Sequence, residues 1–139
     1  TMATPKGYLH FEDDDQNRDR VCVDDLKVII ANTDIRLVVL SACSSGVIKG
    51  VSVFNGVAPG LIQIGVPAVV AMQGSPTMAI TAKFMKRMYD SLVKGKRLPR
   101  AVNDGRRAIF REKPPMWFLP VVYLRSSDDS YGQLFKFDQ

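Results

Sequence analysis

Ile35-Arg-Leu-Val-Val-Leu-Ser-Ala-Cys43-Ser-Ser-Gly46 decides how this chain of 139 residues is to be read. Residues 35–42 are nearly continuous in branched apolar side chains, the pattern of a strand buried on both faces of a parallel sheet. The run then stops at small residues. Open parallel sheets hold their ligand crevices outside the carboxyl ends of the strands, so Cys43 is expected at the end of a central parallel strand with its sulfur facing a groove. Ala42, Ser44, Ser45 and Gly46 are small enough to let a peptide backbone approach and main-chain N–H groups point at an oxyanion. A cysteine beside a buried strand is also commonly an inert core residue, and periodicity alone leaves both readings open.

Working outward, residues 44–55 are rich in Ser and Gly and predict a long loop. Residues 57–64 predict a short helix ended by Gly65, and residues 67–72 a second buried strand. Ser75 and Pro76 predict a helix start. From there Met78, Ala82, Met85, Tyr89 and Leu92 recur at helical spacing, placing an apolar stripe on a helix that Gly95 ends. Pro99 opens another helix to about Arg111, with Val102 and Ile109 inward and the charges of both helices facing solvent. Residues 117–124 predict a third strand, and 134–137 an edge strand after a turn at 126–132. Toward the amino terminus, residues 7–12 and 20–23 predict a hairpin around a polar turn, with Asp24 or Asp25 capping a helix over 26–32. Strands alternating with helices define an α/β fold. Residues 1–6 are set aside as a frayed or vector-derived tail, and 7–139 form one domain.

The composition agrees: 46% hydrophobic and 24% charged residues exclude disorder, collagen and disulfide scaffolds. Two cysteines and one histidine make neither a disulfide framework nor a zinc site, so no metal is expected. The apolar run near residues 64–72 is too short to cross a bilayer, which needs ~20 residues, and no secretory signal precedes it. A reducing, cytoplasmic setting and no membrane partner are expected. The Gly-rich region from Gly46 to Gly60 fits neither phosphate-binding signature, and no organic cofactor is expected. The net charge of +5 concentrates in residues 83–113, which carry eleven Lys and Arg against Asp90, Asp104 and Glu112. The aromatic residues of this stretch, Phe84, Tyr89 and Phe110, are too few and too scattered to interleave these charges as stacking platforms, which makes nucleic-acid binding an unfavoured reading.

The segment from Leu37 to Gly46 resembles the nucleophile segment of CHAT domains, caspase-like cysteine peptidase domains associated with tetratricopeptide repeats. Gly56-Val-Ala-Pro-Gly-Leu-Ile-Gln-Ile-Gly-Val-Pro-Ala-Val-Val-Ala-Met-Gln73 is similar to the family's next helix and strand. Residues 84–89, 101–107 and Trp117-Phe-Leu-Pro-Val-Val-Tyr-Leu-Arg-Ser126 resemble its later helices and last core strand. The resemblance runs over about residues 7–137. It implies a caspase-like three-layer α/β sandwich, with a mostly parallel central sheet and helices on both faces, acting on a protein or peptide substrate. It also implies that Cys43 is the nucleophile, that its own N–H is one oxyanion donor, and that a histidine activates it.

The chain departs from that pattern at the histidine. In the family it lies in a His-Gly pair on an earlier strand, whereas His10 is followed by Phe11 and falls in a later segment, where it reads first as a structural strand residue and second as a partner of Cys43. The chain therefore reads as the C-terminal part of a single CHAT domain. Its expected partners include the upstream segment that carries the histidine, and tetratricopeptide repeats. Asp24, Asp25 and Asp34 are candidates to line a pocket for a basic side chain. Cys22 reads as structural. The rival to the peptidase is a non-catalytic caspase-like interaction module in which Cys43 is structural.

Overall fold

The computed structural model describes residues 8–41, 56–74, 76–125 and 132–135. Strands β1 (Tyr8–Glu12) and β2 (Arg18–Cys22) pair antiparallel, with His10 opposite Arg20. Asp13 sets the turn: its Oδ1 accepts from the backbone N–H groups of Asp15 at 3.0 Å and Asn17 at 2.7 Å. Helix α1 (Val23–Ile30) follows β2 without a linker and starts three residues earlier than Leu26. Asp24 and Asp25 lie in its first turn rather than before it, and Asp25 Oδ2 accepts from the Cys22 N–H at 2.9 Å. An N3 carboxylate reaching back to the N-cap N–H is one half of a capping box.

The expected α/β alternation continues as β3 (Leu37–Leu40), α2 (Val57–Gln63), β4 (Ala68–Met72), α3 (Met78–Val93), α4 (Leu98–Ala108) and β5 (Pro120–Leu124). Strands β3, β4 and β5 form one sheet in that order, β3 parallel and β5 antiparallel to β4. Among the described residues β4, not β3, takes the middle place. The burial agrees, since every β4 residue is buried whereas Leu37, Val38 and Val39 remain half-exposed at the edge. Residues 35–42 read as doubly buried because they are nearly continuous in apolar side chains, yet burial also requires a neighbour on each side.

Strand alternation sorts the core into two layers. Ala68, Val70 and Met72 pack with Phe84, Met88 and Leu92 of α3 and Leu98, Ala101 and Val102 of α4. Val69 and Ala71 face Val57, Ala58 and Leu61 of α2, with Leu26 and Ile30 of α1 behind them. Helices thus cover both faces of the sheet. Each large side chain buried this way contributes roughly 1.5–3 kcal/mol.

Helix α3 turns a different face inward from the expected stripe. Ile80, Phe84, Met88, Ser91 and Leu92 are buried, whereas Met78 and Tyr89 are exposed, and its N-cap is Thr77, whose side chain accepts from the Ile80 N–H. The reason lies on α4, where Gly105 leaves the space that the Phe84 ring fills: a Cβ there would stand 2.7 Å from two ring carbons. Helix α4 meets its expectation at Val102 and Ile109, both buried. Not all of its charges face solvent: the Asp104 side chain is only 14% exposed. Arg106 Nη2 donates to the Pro120 carbonyl at 2.7 Å and ties α4 to the start of β5.

Strand β5 begins at Pro120, so Trp117 and Phe118 lie before it rather than in it. Gly132 to Phe135 form no strand; Leu134 is buried and its carbonyl accepts from Arg36 Nη1 at 2.8 Å. The remainder of the expected edge strand, the Ser75 cap, the loop over 44–55 and residues 1–6 lie outside the described residues. No helix among the described residues is long and apolar enough to cross a membrane.

Candidate active site

The two parallel strands end together. Leu40, the last residue of β3, stands opposite Ala71, and Met72 closes β4 opposite Pro120. Ser41 leaves the sheet exposed. The chain therefore departs at the carboxyl edge two residues before Cys43, which itself lies outside the described residues together with Ala42, Ser44, Ser45 and Gly46.

On the β4 side, that edge is built by Gln73 and Gly74. The Gln73 N–H donates to the Leu119 carbonyl at 2.8 Å, and Gly74 adopts φ +70°, a left-handed conformation that suits glycine. A Cβ at Gly74 would also stand 3.3 Å from Leu119 Cδ2. The segment before β5 is thereby held against the end of β4, and it carries three aromatic rings. Phe110 and Trp117 have centroids 5.9 Å apart, and Trp117 and Phe118 meet edge to face at 6.0 Å. The apolar run over 117–124 predicts Trp117 and Phe118 as strand residues, whereas both precede β5. Two adjacent large aromatics between Pro115 and Pro120 were the available signal, since neighbours in a strand cannot both face the core.

The other candidates are placed as follows. His10 occupies the middle of β1, in register with Arg20. Cys22 is a free, half-buried thiol at the junction of β2 and α1. Asp24 and Asp25 are exposed in the first turn of α1, and the Asp25 carboxylate is engaged by the Cys22 N–H. Asp34 is exposed ahead of β3, toward the amino end of that strand and away from Ser41. The structure does not bring the three aspartates to one point on the carboxyl edge.

Among the described residues, a clear shift of ionisation lies elsewhere. The Ser91 hydroxyl, donating to Asp104 Oδ2 at 2.7 Å, holds the Asp104 carboxyl below its ordinary range, aided by Arg100, Arg87 and Arg107 against the opposing effect of burial. This pair joins α3 to α4 and is structural. Among the described residues, no group of three His, Cys, Asp or Glu side chains is placed to hold a metal ion.

The family model described as CHAT domain matches residues 2–129. No curated protein matches the chain.

Proposed function

The chain belongs to the CHAT domain family, and from that premise we propose that it is the C-terminal part of a caspase-like cysteine endopeptidase domain acting on protein or peptide substrates. The observation that carries the reading is the exit of the chain from β3 at the carboxyl edge of a parallel pair, with Ser41 exposed and Cys43 two residues further on. An open α/β sheet presents its reacting groups at that edge.

In this reading the Cys43 thiolate attacks the carbonyl carbon of the scissile peptide bond, forming a C–S bond and a tetrahedral oxyanion that accepts from the Cys43 N–H. A histidine from the upstream segment takes the thiol proton and passes it to the leaving amine as the C–N bond breaks. Water then hydrolyses the thioester, returning the thiol and releasing a carboxylic acid. A free thiol with pKa near 8.5 is only a few per cent thiolate at neutral pH, so the imidazole is required for both activation and departure. No metal or organic cofactor enters these steps. The outer edge of β3, unpaired among the described residues, suits an upstream strand that would complete the sheet and bring the histidine to Cys43. Tetratricopeptide repeats are the expected neighbours in the parent protein, and a reducing cytoplasm keeps Cys43 a thiol.

The test compares the present chain with a longer one that restores about 80 upstream residues, the span that an additional strand-helix-strand unit of at least 30 residues fits with room to spare. The present chain is expected to turn over no peptide. The longer one should cleave, and lose cleavage by roughly 10³-fold or more on Cys43→Ala. His10→Ala in the longer chain should leave the rate unchanged. A folded longer chain that cleaves no member of a broad peptide library and ignores cysteine-directed electrophiles would replace this reading with the interaction module.

A further inference from the structure

Phe110, Trp117 and Phe118 are 60%, 41% and 57% exposed and form a continuous aromatic ledge. Exposed apolar clusters of this kind mark interaction sites more often than chance placement. The ledge is held in place: the Leu119 N–H donates to the Met116 carbonyl at 3.1 Å, and the Leu119 carbonyl is bound by Gln73 at the end of β4. It therefore lies on the rim of the carboxyl edge, the edge from which β3 sends the chain toward Cys43.

The charge around the ledge is one-sided. Arg111 and Lys113 are exposed and have no carboxylate partner among the described residues. Glu112, the one acid between them, is engaged by Lys83 Nζ at 2.6 Å on α3. A surface of aromatic rings with unmatched cations has the composition of an interface centre, where Trp and Arg carry most of the binding, and its charge selects an acidic partner.

We infer that this rim is a docking ledge for the polypeptide substrate, engaging a stretch in which acidic residues flank a Leu or aromatic side chain. The inference rests on the peptidase reading for the identity of the partner, not for the existence of the ledge. A polypeptide is favoured over the other acidic partners by the geometry of the rings. They are inclined at 47° and 89°, so they offer no parallel slot for a nucleobase. Each keeps about half of its surface against the protein, so the three together offer less apolar area than the amphipathic helix face that lies in a membrane interface.

Trp117 is the only tryptophan, so its emission reports on the ledge alone. The probe is a synthetic peptide with Glu on both sides of a Leu-Phe pair, added to the 139-residue chain. A saturable blue shift is expected, weakened by salt and absent when Lys replaces each Glu. Phe118→Ala and, independently, Arg111→Glu should each weaken binding about tenfold, with far-ultraviolet circular dichroism confirming that each variant is folded. No shift up to about 1 mM peptide, an equal response to the Lys peptide, or a shift produced only by phosphatidylserine vesicles would overturn the inference.

A second measurement separates it from the peptidase reading. In the longer, cleaving chain, Phe118→Ala should raise KM for the Glu-flanked substrate by a larger factor than KM for a short neutral peptide. Equal turnover of both peptides, unaffected by Phe118→Ala, overturns the ledge and leaves the peptidase standing. A Trp117 shift without cleavage of any peptide supports the ledge and removes the peptidase.

Discussion

At the scale of single residues, the junction of α3 and α4 depends on two contacts. Ser91, 6% exposed, donates a hydroxyl hydrogen bond to the Asp104 carboxylate, and a buried hydrogen bond to a charged acceptor contributes about 1.5–3 kcal/mol. The Arg100–Asp104 ion pair at 3.5 Å has an exposed arginine and adds little. Because folding lowers the Asp104 pKa, its contribution is present above the ordinary value of 3.8 and is lost as the pH falls below it. Asp104→Asn should therefore lower stability by about 1–2 kcal/mol at pH 7, and the gap to the unsubstituted chain should close below pH 3.8 in urea titrations. Gly105 is the second contact. Alanine would gain about 1 kcal/mol of helix propensity, but its Cβ would meet a buried ring at 2.7 Å and the Phe84 carbonyl at 3.1 Å. Overpacking costs about 1–3 kcal/mol and should win. Gly105→Ala is expected to lower Tm, and Phe84→Leu in the same chain to recover part of the loss, read as a coupling in a double-mutant cycle.

At the scale of elements, α3 shows why one helix can be read on the wrong face. Met78, Ala82, Met85, Tyr89 and Leu92 keep a helical period, and so do Ile80, Phe84, Met88 and Leu92. Both stripes are apolar, so periodicity does not choose between them. The choice falls to the partner: α4 offers a gap at Gly105 that accepts Phe84, and the helix rotates to fill it. Phe84→Ala should then cost about 3–5 kcal/mol, whereas Tyr89→Ala, on the 42% exposed side, should stay within about 0.5 kcal/mol. Chemical denaturation of the two variants checks the assignment. The opposite outcome would place Tyr89 in the core. Helix α2 raised no such ambiguity, because Gly65 at φ +113° stops it just beyond Gln63 whatever surrounds it.

At the scale of the whole molecule, the sheet and the charge distribution lead to separate expectations. Strand β4 is buried between two helical layers and two neighbours, so its amides should exchange with solvent most slowly. The amides of β3 that point away from β4 should exchange faster in this chain and become protected in the longer one, where an upstream strand would pair with them. Unchanged β3 exchange in a folded longer chain would contradict that pairing. The excess of cations over 83–113 is reduced by Lys83–Glu112, Lys86–Asp90 and Arg100–Asp104 pairing and by the inward turn of Arg106. Duplex DNA should accordingly bind weakly and dissociate as salt rises; a sequence-specific complex that persists at high salt would contradict this.

The amino-acid sequence by itself determined the elements whose signals are local. Branched apolar runs made β3 and β4, a polar turn made the hairpin, Pro99 opened α4, and the ordered motifs around Leu37 to Gly46 carried the family. It also singled out Cys43, whose surroundings lie outside the described residues. Only the tertiary structure decided that β4 and not β3 takes the middle place among the described strands, which face of α3 is buried, that Arg106 turns inward, and that Phe110 joins Trp117 and Phe118 at the rim. Each of these depends on a partner far along the chain. A strand's place is set by its neighbours, a helix's face by the gap opposite it, and a cluster by the fold that gathers its members; none of the three is encoded in the spacing of one segment.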